Sequence, residues 1–122
     1  MITATKPKAY LSDCHEWREQ LRHYREELNG LRNQLYIHAA GSGDHLFLRE
    51  ADHFHNQFHI QLINIHDLKH SIKEHLHQVE HHPNFGHKVP HQSLGLSYQL
   101  LTSDLEKLKN DFDKFVSFKK AN

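Results

Sequence analysis

The chain has 122 residues, and its 15 Lys and Arg balance its 15 Asp and Glu, so no excess positive charge favours binding to nucleic acid. This length suits one domain with its own core, which we expect to span residues 1–122. Its single cysteine excludes an internal disulfide, and no stretch is apolar enough for a signal peptide or a membrane span. We therefore expect a cytoplasmic protein without membrane contact.

The first third of the chain carries a seam of residues that alternate in steps of four and three. This spacing is the heptad pattern of a helix that packs lengthwise against other helices. Gly41 suits the position just after a helix end, so the pattern predicts a helix over about 6–40. The seam residues are Tyr10, Cys14, Trp17, Leu21, Tyr24, Leu28, Leu31, Leu35 and His38.

A second seam follows the short linker at 41–44 and continues to Pro83. Asp44 is a good N-cap, and the pattern predicts a helix over about 44–82. At a rise of ~1.5 Å per residue this helix would be about 58 Å long, which favours an elongated bundle. The seam residues are Phe47, Ala51, Phe54, Phe58, Gln61, Ile65, Leu68, Ile72, Leu76 and Val79.

The prolines and the glycine of the segment 83–92 predict a break, after which a third seam runs to the end of the chain. It predicts a helix over about 91–120, with a start between 91 and 103. Short connections between long helices favour antiparallel neighbours, so we expect an all-α fold: an elongated antiparallel up-down-up three-helix bundle with coiled-coil-like packing. The third seam contains Leu94, Tyr98, Leu101, Leu105, Leu108, Phe112 and Phe115.

Histidines form a stripe on the second helix, away from its seam. Their i, i+4 pairs put two imidazoles one turn apart, the spacing by which a helix offers two nitrogens to Zn, Ni, Cu or Fe. Glu74 lies on the same flank, so the sequence predicts a possible transition-metal site here. The alternative is a solvated face, because two imidazoles make a weak site without further ligands. We call the following six residues the histidine stripe: His55, His59, His66, His70, His77 and His81.

Other sites are weaker predictions. Carboxylate-bridged iron requires inward-facing ligands from four helices, which this pattern does not supply. Cys14 occupies a seam position, where a small thiol is more often core packing than a nucleophile, and no phosphate loop or serine elbow occurs. A pocket lined by Trp17, Tyr24 and Gln61 is an alternative to ordinary core packing of these residues. We therefore expect no enzyme and no required cofactor.

Self-association is suggested by Ile60 and Ile63, which lie off the seam in the middle of the second helix. Outward-facing isoleucines there predict a second contact surface and a homo-oligomer, most simply a dimer. Scattered apolar residues on a surface are the plainer alternative.

Two blocks, EWREQLRHYREELNGLRNQL and HFHNQFHIQLINIHDLKHSIKEH, resemble a family of short, uncharacterised bacterial helical proteins. The resemblance implies an all-helical bundle and brings no activity or cofactor. His55, His59 and His66 depart from the family pattern, which argues against a family-wide metal role. The matching positions are Glu16, Trp17, Leu21, Tyr24, Glu27, Leu28, Leu31, Leu35, His53, Phe54, Asn56, Gln57, Phe58, Gln61, Asn64, Asp67, Leu68, Lys69, His70, Ile72 and His75.

The leading functional prediction is therefore a small non-enzymatic bundle that acts through protein contacts or self-association. The alternative is a metal-binding protein, with His70, Glu74, His77 and His81 as the first ligands to test. A third reading is a pH-responsive assembly, because protonation of the histidine stripe would place many like charges along one helix.

Overall fold

The computed structural model describes the backbone of residues 6–121 and the side chains of residues 7–118. It contains three α-helices: α1 (Lys6–Ala40), α2 (His45–His81) and α3 (Lys88–Ala121). No strand occurs in this part of the chain, and the three helices pack against one another, which confirms the all-helical prediction. None of these helices has a stretch that is long and apolar enough to cross a membrane.

The start of α2 is capped as the sequence predicts. The carboxylate of Asp44 accepts hydrogen bonds from the backbone N–H groups of Leu46 (3.0 Å) and Phe47 (3.4 Å), two donors that have no partner inside the helix. The helix ends at His81, two residues before Pro83, which cannot continue it. In the connection to α3, Gly86 has a φ of 63°, a conformation that favours glycine.

The start of α3 differs from the prediction. The helix begins at Lys88, three residues before the earliest start that the sequence suggested. Pro90 lies in its first turn, where a missing N–H costs nothing because no helical acceptor is available there. The proline therefore belongs to the helix rather than to the break, and this places His91 in a helical first turn.

The core consists of the predicted seams. Every predicted seam residue is buried or half-buried, and Val116 joins the core as well. One part of the core is built from stacked and edge-on rings, with centroids 4.8 Å apart for Phe47 and Phe115 and 5.1 Å apart for Phe58 and Phe112. Burial of each such side chain contributes roughly 1.5–3 kcal/mol. We call Phe47, Phe54, Phe58, Phe112 and Phe115 the phenylalanine cluster.

Two histidines, His75 (7% exposed) and His91 (6% exposed), are the buried polar residues of this core among the described side chains. Trp17 covers them from α1, with its ring 4.8 Å from that of His91 and 5.6 Å from that of Tyr98. A Cβ atom on Gly95 would lie 3.4 Å from the Trp17 ring, so the glycine gives this ring room against α3.

Candidate metal centre

Each of the three helices contributes one metal-binding side chain to a single point in the core. Cys14 comes from α1, His75 from α2 and His91 from α3. The Cys14 sulfur and one ring nitrogen from each histidine all lie within 4.8 Å of one another, and all three residues are buried. We call these three residues the buried cluster.

Ordinary helical packing positions these side chains. Cys14 occupies a seam position of α1 and is fully buried. His75 follows Ile72 by three positions and precedes Val79 by four, so it shares the inward-facing flank of α2 with two buried residues. His91 lies in the first turn of α3, three positions before Leu94 and therefore on the seam face of that helix.

A chain of hydrogen bonds fixes the two imidazoles. The Asp13 carboxylate lies 2.9 Å from Nε2 of His91, and Nδ1 of His91 lies 3.0 Å from Nε2 of His75. An ionised carboxylate can only accept, so Nε2 of His91 carries the proton and donates it. Nδ1 of His91 then holds a lone pair, which accepts the N–H of His75.

Aromatic rings enclose the cluster. The ring of Tyr10 lies 4.2 Å from that of His91, and the Trp17 ring lies against the same imidazole. The His87 ring approaches His75 edge-on at 5.8 Å. Such walls keep water away from the ligand atoms and lower the local dielectric, which strengthens electrostatic interactions inside the site.

Burial keeps these groups uncharged. It raises the pKa of the Cys14 thiol to about 11, with the neighbouring Asp13 carboxylate as a second cause. Burial also lowers the pKa of His75, and the nearby His91 and His87 lower it further. A protonated thiol and a neutral imidazole are therefore the stable forms at neutral pH, and no unpaired charge is buried at these two residues.

The donor set fits a borderline-soft transition metal. Tetrahedral Zn²⁺ with bonds of ~2.0–2.1 Å to nitrogen and ~2.3 Å to sulfur places nitrogen ligands about 3.3 Å apart, and nitrogen and sulfur about 3.6 Å apart. The two nitrogens are already 3.0 Å apart, and the sulfur, at most 4.8 Å from either, needs to approach by no more than about 1.2 Å. Asp13 would support His91 from its outer nitrogen, as carboxylates do for metal-bound histidines.

The histidine stripe lies elsewhere, on the solvent side of α2. Nε2 of His70 is 3.1 Å from the Glu74 carboxylate, and the rings of His77 and His81 are 4.1 Å apart. The half-buried His55 contacts the Tyr36 hydroxyl at 3.3 Å. Among the described side chains, no third ligand joins these pairs at metal-binding distance. The stripe therefore offers pairs of ligands, and its role as a metal site stays a prediction.

The pocket predicted between Trp17, Tyr24 and Gln61 stays a prediction. Gln61 lines a cleft between α2 and α3 that contains neither aromatic residue, and it accepts a hydrogen bond from Asn64 (3.1 Å). The hydroxyl of Tyr24 instead donates to Glu106 of α3 (2.7 Å). Gln61 and Tyr24 therefore make separate polar contacts, each at an exposed partner.

Sequence reasoning placed Cys14 only in the core and did not include His75 or His91 among the metal candidates. The spacing of His75 from Ile72 and Val79 is the available signal, because it continues the steps of three and four that mark buried positions. His91 precedes Leu94 by three positions and so carries the same signal, but it lay at the uncertain start of α3 and was not considered as a ligand.

Comparison with protein-family models, with curated proteins and with solved structures finds no match for this chain. The resemblance to short bacterial helical proteins stays a prediction.

Proposed function

We propose that this protein binds a transition-metal ion, in the first place Zn²⁺, through the buried cluster. The observation that carries this proposal is the convergence of Cys14, His75 and His91 from three helices within 4.8 Å in a closed site. Sulfur and imidazole donors select zinc and its neighbours over Mg²⁺ or Ca²⁺, which prefer oxygen ligands.

The chemistry of loading follows from the protonation states. Binding requires the thiolate, so Cys14 loses its proton to solvent. His75 gives up its Nε2 proton while the other ring nitrogen takes one, which leaves the imidazole neutral. Loading therefore releases about one proton per ion at neutral pH, and three protein ligands leave a fourth coordination position for water or another ligand.

The test uses protein purified without a histidine tag or metal column. Elemental analysis gives the zinc content, and titration with Co²⁺ reports thiolate ligation through a charge-transfer band in the near ultraviolet. We expect one ion per chain, and its loss in the variants Cys14→Ser and His91→Ala. Far-UV circular dichroism verifies that each variant keeps its helices.

The matched control removes three histidines from the stripe: His70→Ala, His77→Ala and His81→Ala in one chain. This variant should keep the ion and the Co²⁺ band. Loss of the ion here, with retention in Cys14→Ser, would move the site to the stripe and overturn the proposal.

We also propose that the helices run up-down-up, with heptad-type packing along their seams. Contacts between α2 and α3 support an antiparallel pair, since Phe58 meets Phe112 while the later His75 meets the earlier His91. Tyr24 of α1 bonds Glu106 of α3, whereas the earlier Trp17 meets the earlier His91, which supports a parallel pair.

A role in self-association is a second proposal. Ile60 and Ile63 are each 47% exposed on the outer face of α2, as an added contact surface would require. Sedimentation of the wild type against Ile60→Ser with Ile63→Ser tests it: a dimer that becomes a monomer supports the role, and a monomer in both excludes it.

We propose no catalytic role for Cys14. Its thiol is fully buried and its pKa is raised to about 11, so the nucleophilic thiolate is scarce at neutral pH.

A further inference from the structure

Positive charges converge on a cleft between α1 and α2 that the proposed metal centre does not use. Arg18 and Arg25 reach it from α1, and Lys69 and Lys73 reach it from α2. We call these four residues the basic cleft; Ile65, His66 and His70 complete its lining. The composition of the whole chain is balanced and did not reveal this local excess of charge. The four residues come together only when α1 packs against α2.

None of the four cations forms an ion pair with a described side chain. Arg22 lies between Arg18 and Arg25 in the sequence, and it alone among these arginines is neutralised, by Glu19 and by Glu26 at 2.8 Å. The Glu19 carboxylate attracts Lys69 at longer range, but Arg22 already holds it.

His70, at the rim of the basic cleft, is next to the carboxylate of Glu74. The carboxylates of Glu19, Glu26 and Glu74 are therefore already engaged with Arg22 or His70.

Two of the four cations, Arg18 and Lys69, are half-buried, which makes their charge costly, whereas Arg25 and Lys73 are exposed. Lys69 is half-buried at a position between the core residues Ile65 and Ile72, and its pKa is lowered by burial first and then by Arg25, Arg18 and Arg22. Nε of Arg18 is buried and has no hydrogen-bond partner among the described residues. A buried donor without an acceptor is destabilising, and so is a cluster of like charges.

An acceptor that carries negative charge would relieve both penalties at once. Guanidinium groups bind planar or tetrahedral oxyanions through paired N–H donors, and a lysine adds a point charge. The cleft encloses about 230 Å³, which is below the roughly 300–1,000 Å³ of pockets for drug-sized ligands. A small anion fits this space better than a nucleotide does.

We propose that the basic cleft is a binding site for a small phosphate-class oxyanion, either free phosphate or the phosphate group of a small monoester. Arg18 and Arg25 hold the oxygens from one side, and Lys69 and Lys73 supply charge from the other.

Thermal unfolding tests the site in a chelating buffer, so that the outcome does not depend on metal binding. Sodium phosphate is titrated into the full chain at constant ionic strength maintained with sodium chloride, and methyl phosphate is titrated in parallel. We expect a saturable rise of the melting temperature with phosphate. Saturation by phosphate alone identifies the free anion as the ligand, and saturation by both identifies the phosphate group that they share.

Two variants separate a site from general screening of charge. Lys69→Met should weaken phosphate binding by at least about tenfold, since it removes a central charge-assisted contact. It should also melt at a higher temperature than the wild type without phosphate, because a buried like charge is gone. Arg25→Gln should weaken phosphate binding similarly.

Lys114→Gln, which removes the same charge from an exposed position of α3, is the matched control and should bind phosphate as the wild type does. The proposal is overturned if phosphate produces no saturable shift in the wild type. It is equally overturned if Lys69→Met and Lys114→Gln reduce the shift by the same amount.

Discussion

The buried cluster and the histidine stripe both include histidines of α2, yet these histidines differ in their exposure and in the groups that they contact. His75 is 7% exposed, whereas the side chain of His70 is 65% exposed. His75 meets ligands from two other helices, while His70 meets a carboxylate one turn along its own helix. The difference teaches that a high local density of histidines does not by itself bring three donors together, whereas packing of separate helices does.

The two regions should also differ in the free-energy cost of binding a metal ion. At the stripe, a metal ion must exchange strongly bound water for two exposed side chains, and both side chains lose conformational freedom on binding. At the buried cluster, packing already holds the imidazoles in place, and the hydrogen bond to Asp13 already fixes the proton of His91 on Nε2. Preorganisation of this kind lowers the cost of binding.

The largest expected effect is stabilisation of the whole bundle by zinc. A ligand that binds only the folded state at 100 times its Kd adds about 2.7 kcal/mol to the free energy of unfolding. We expect this gain in the wild type and in the triple stripe variant, and its absence in His91→Ala. Chemical denaturation with zinc and with chelator measures this gain in the free energy of unfolding. An equal gain in His91→Ala would contradict the proposal that zinc binds at the buried cluster.

A smaller effect should follow from removing the partner of His91. Asp13→Ala takes away the carboxylate that orients the imidazole, and loss of such an outer partner typically weakens metal affinity about 10- to 100-fold. Competition with a chromophoric zinc chelator measures the affinity. Ser12→Ala, at the exposed neighbouring position, should leave it unchanged. An unchanged affinity in Asp13→Ala would mean that this hydrogen bond does not prepare the ligand.

Acid should distinguish the regions in the metal-free protein. The pKa of His75 is lowered in the folded state from its ordinary 6.5, so the unfolded chain binds this proton more readily. Above pH 6.5 His75 is neutral in both states and the free energy of unfolding is highest. As the pH falls below 6.5 toward the lower pKa of the folded state, the free energy of unfolding declines. Denaturation at pH 7.5 and pH 5.5 should show a smaller decline for His75→Gln than for the wild type. The same decline in both would assign acid sensitivity to other groups.

The smallest effect is expected at the stripe itself. Exposed substitutions away from caps and networks usually change stability by less than about 0.5 kcal/mol. The triple variant of His70, His77 and His81 should stay within that range in chelator at pH 7.5. A large loss of stability would show that the stripe supports the fold rather than facing solvent.

The limits of prediction follow from the geometry of helices. Periodicity within one helix gives its inward face, and for that reason the seams from Tyr10 to Phe115 agree with the core. Asp44 and Gly41 mark the α1–α2 linker through backbone chemistry that operates over a few residues.

Periodicity within one helix does not give the rotation and height of that helix relative to its neighbours. The meeting of Cys14, His75 and His91 depends on those quantities, and so does the basic cleft. The start predicted for α3 lay anywhere between 91 and 103, which left His91 at the uncertain edge of the helix, although its step of three to Leu94 continues the seam.

The contrast between the two parts of the core bears on how an ion would arrive. The phenylalanine cluster is a large apolar group of packed rings, and such packing resists local unfolding. His75 and His91 lie instead in the last two turns of α2 and the first turn of α3, on either side of the connection that contains Gly86. Terminal turns open more readily than helix centres, so this corner of the molecule can open while the ring-packed core stays closed. If the buried cluster binds the proposed ion, the rate of amide hydrogen exchange in those turns would set an upper limit on how fast the ion enters and leaves.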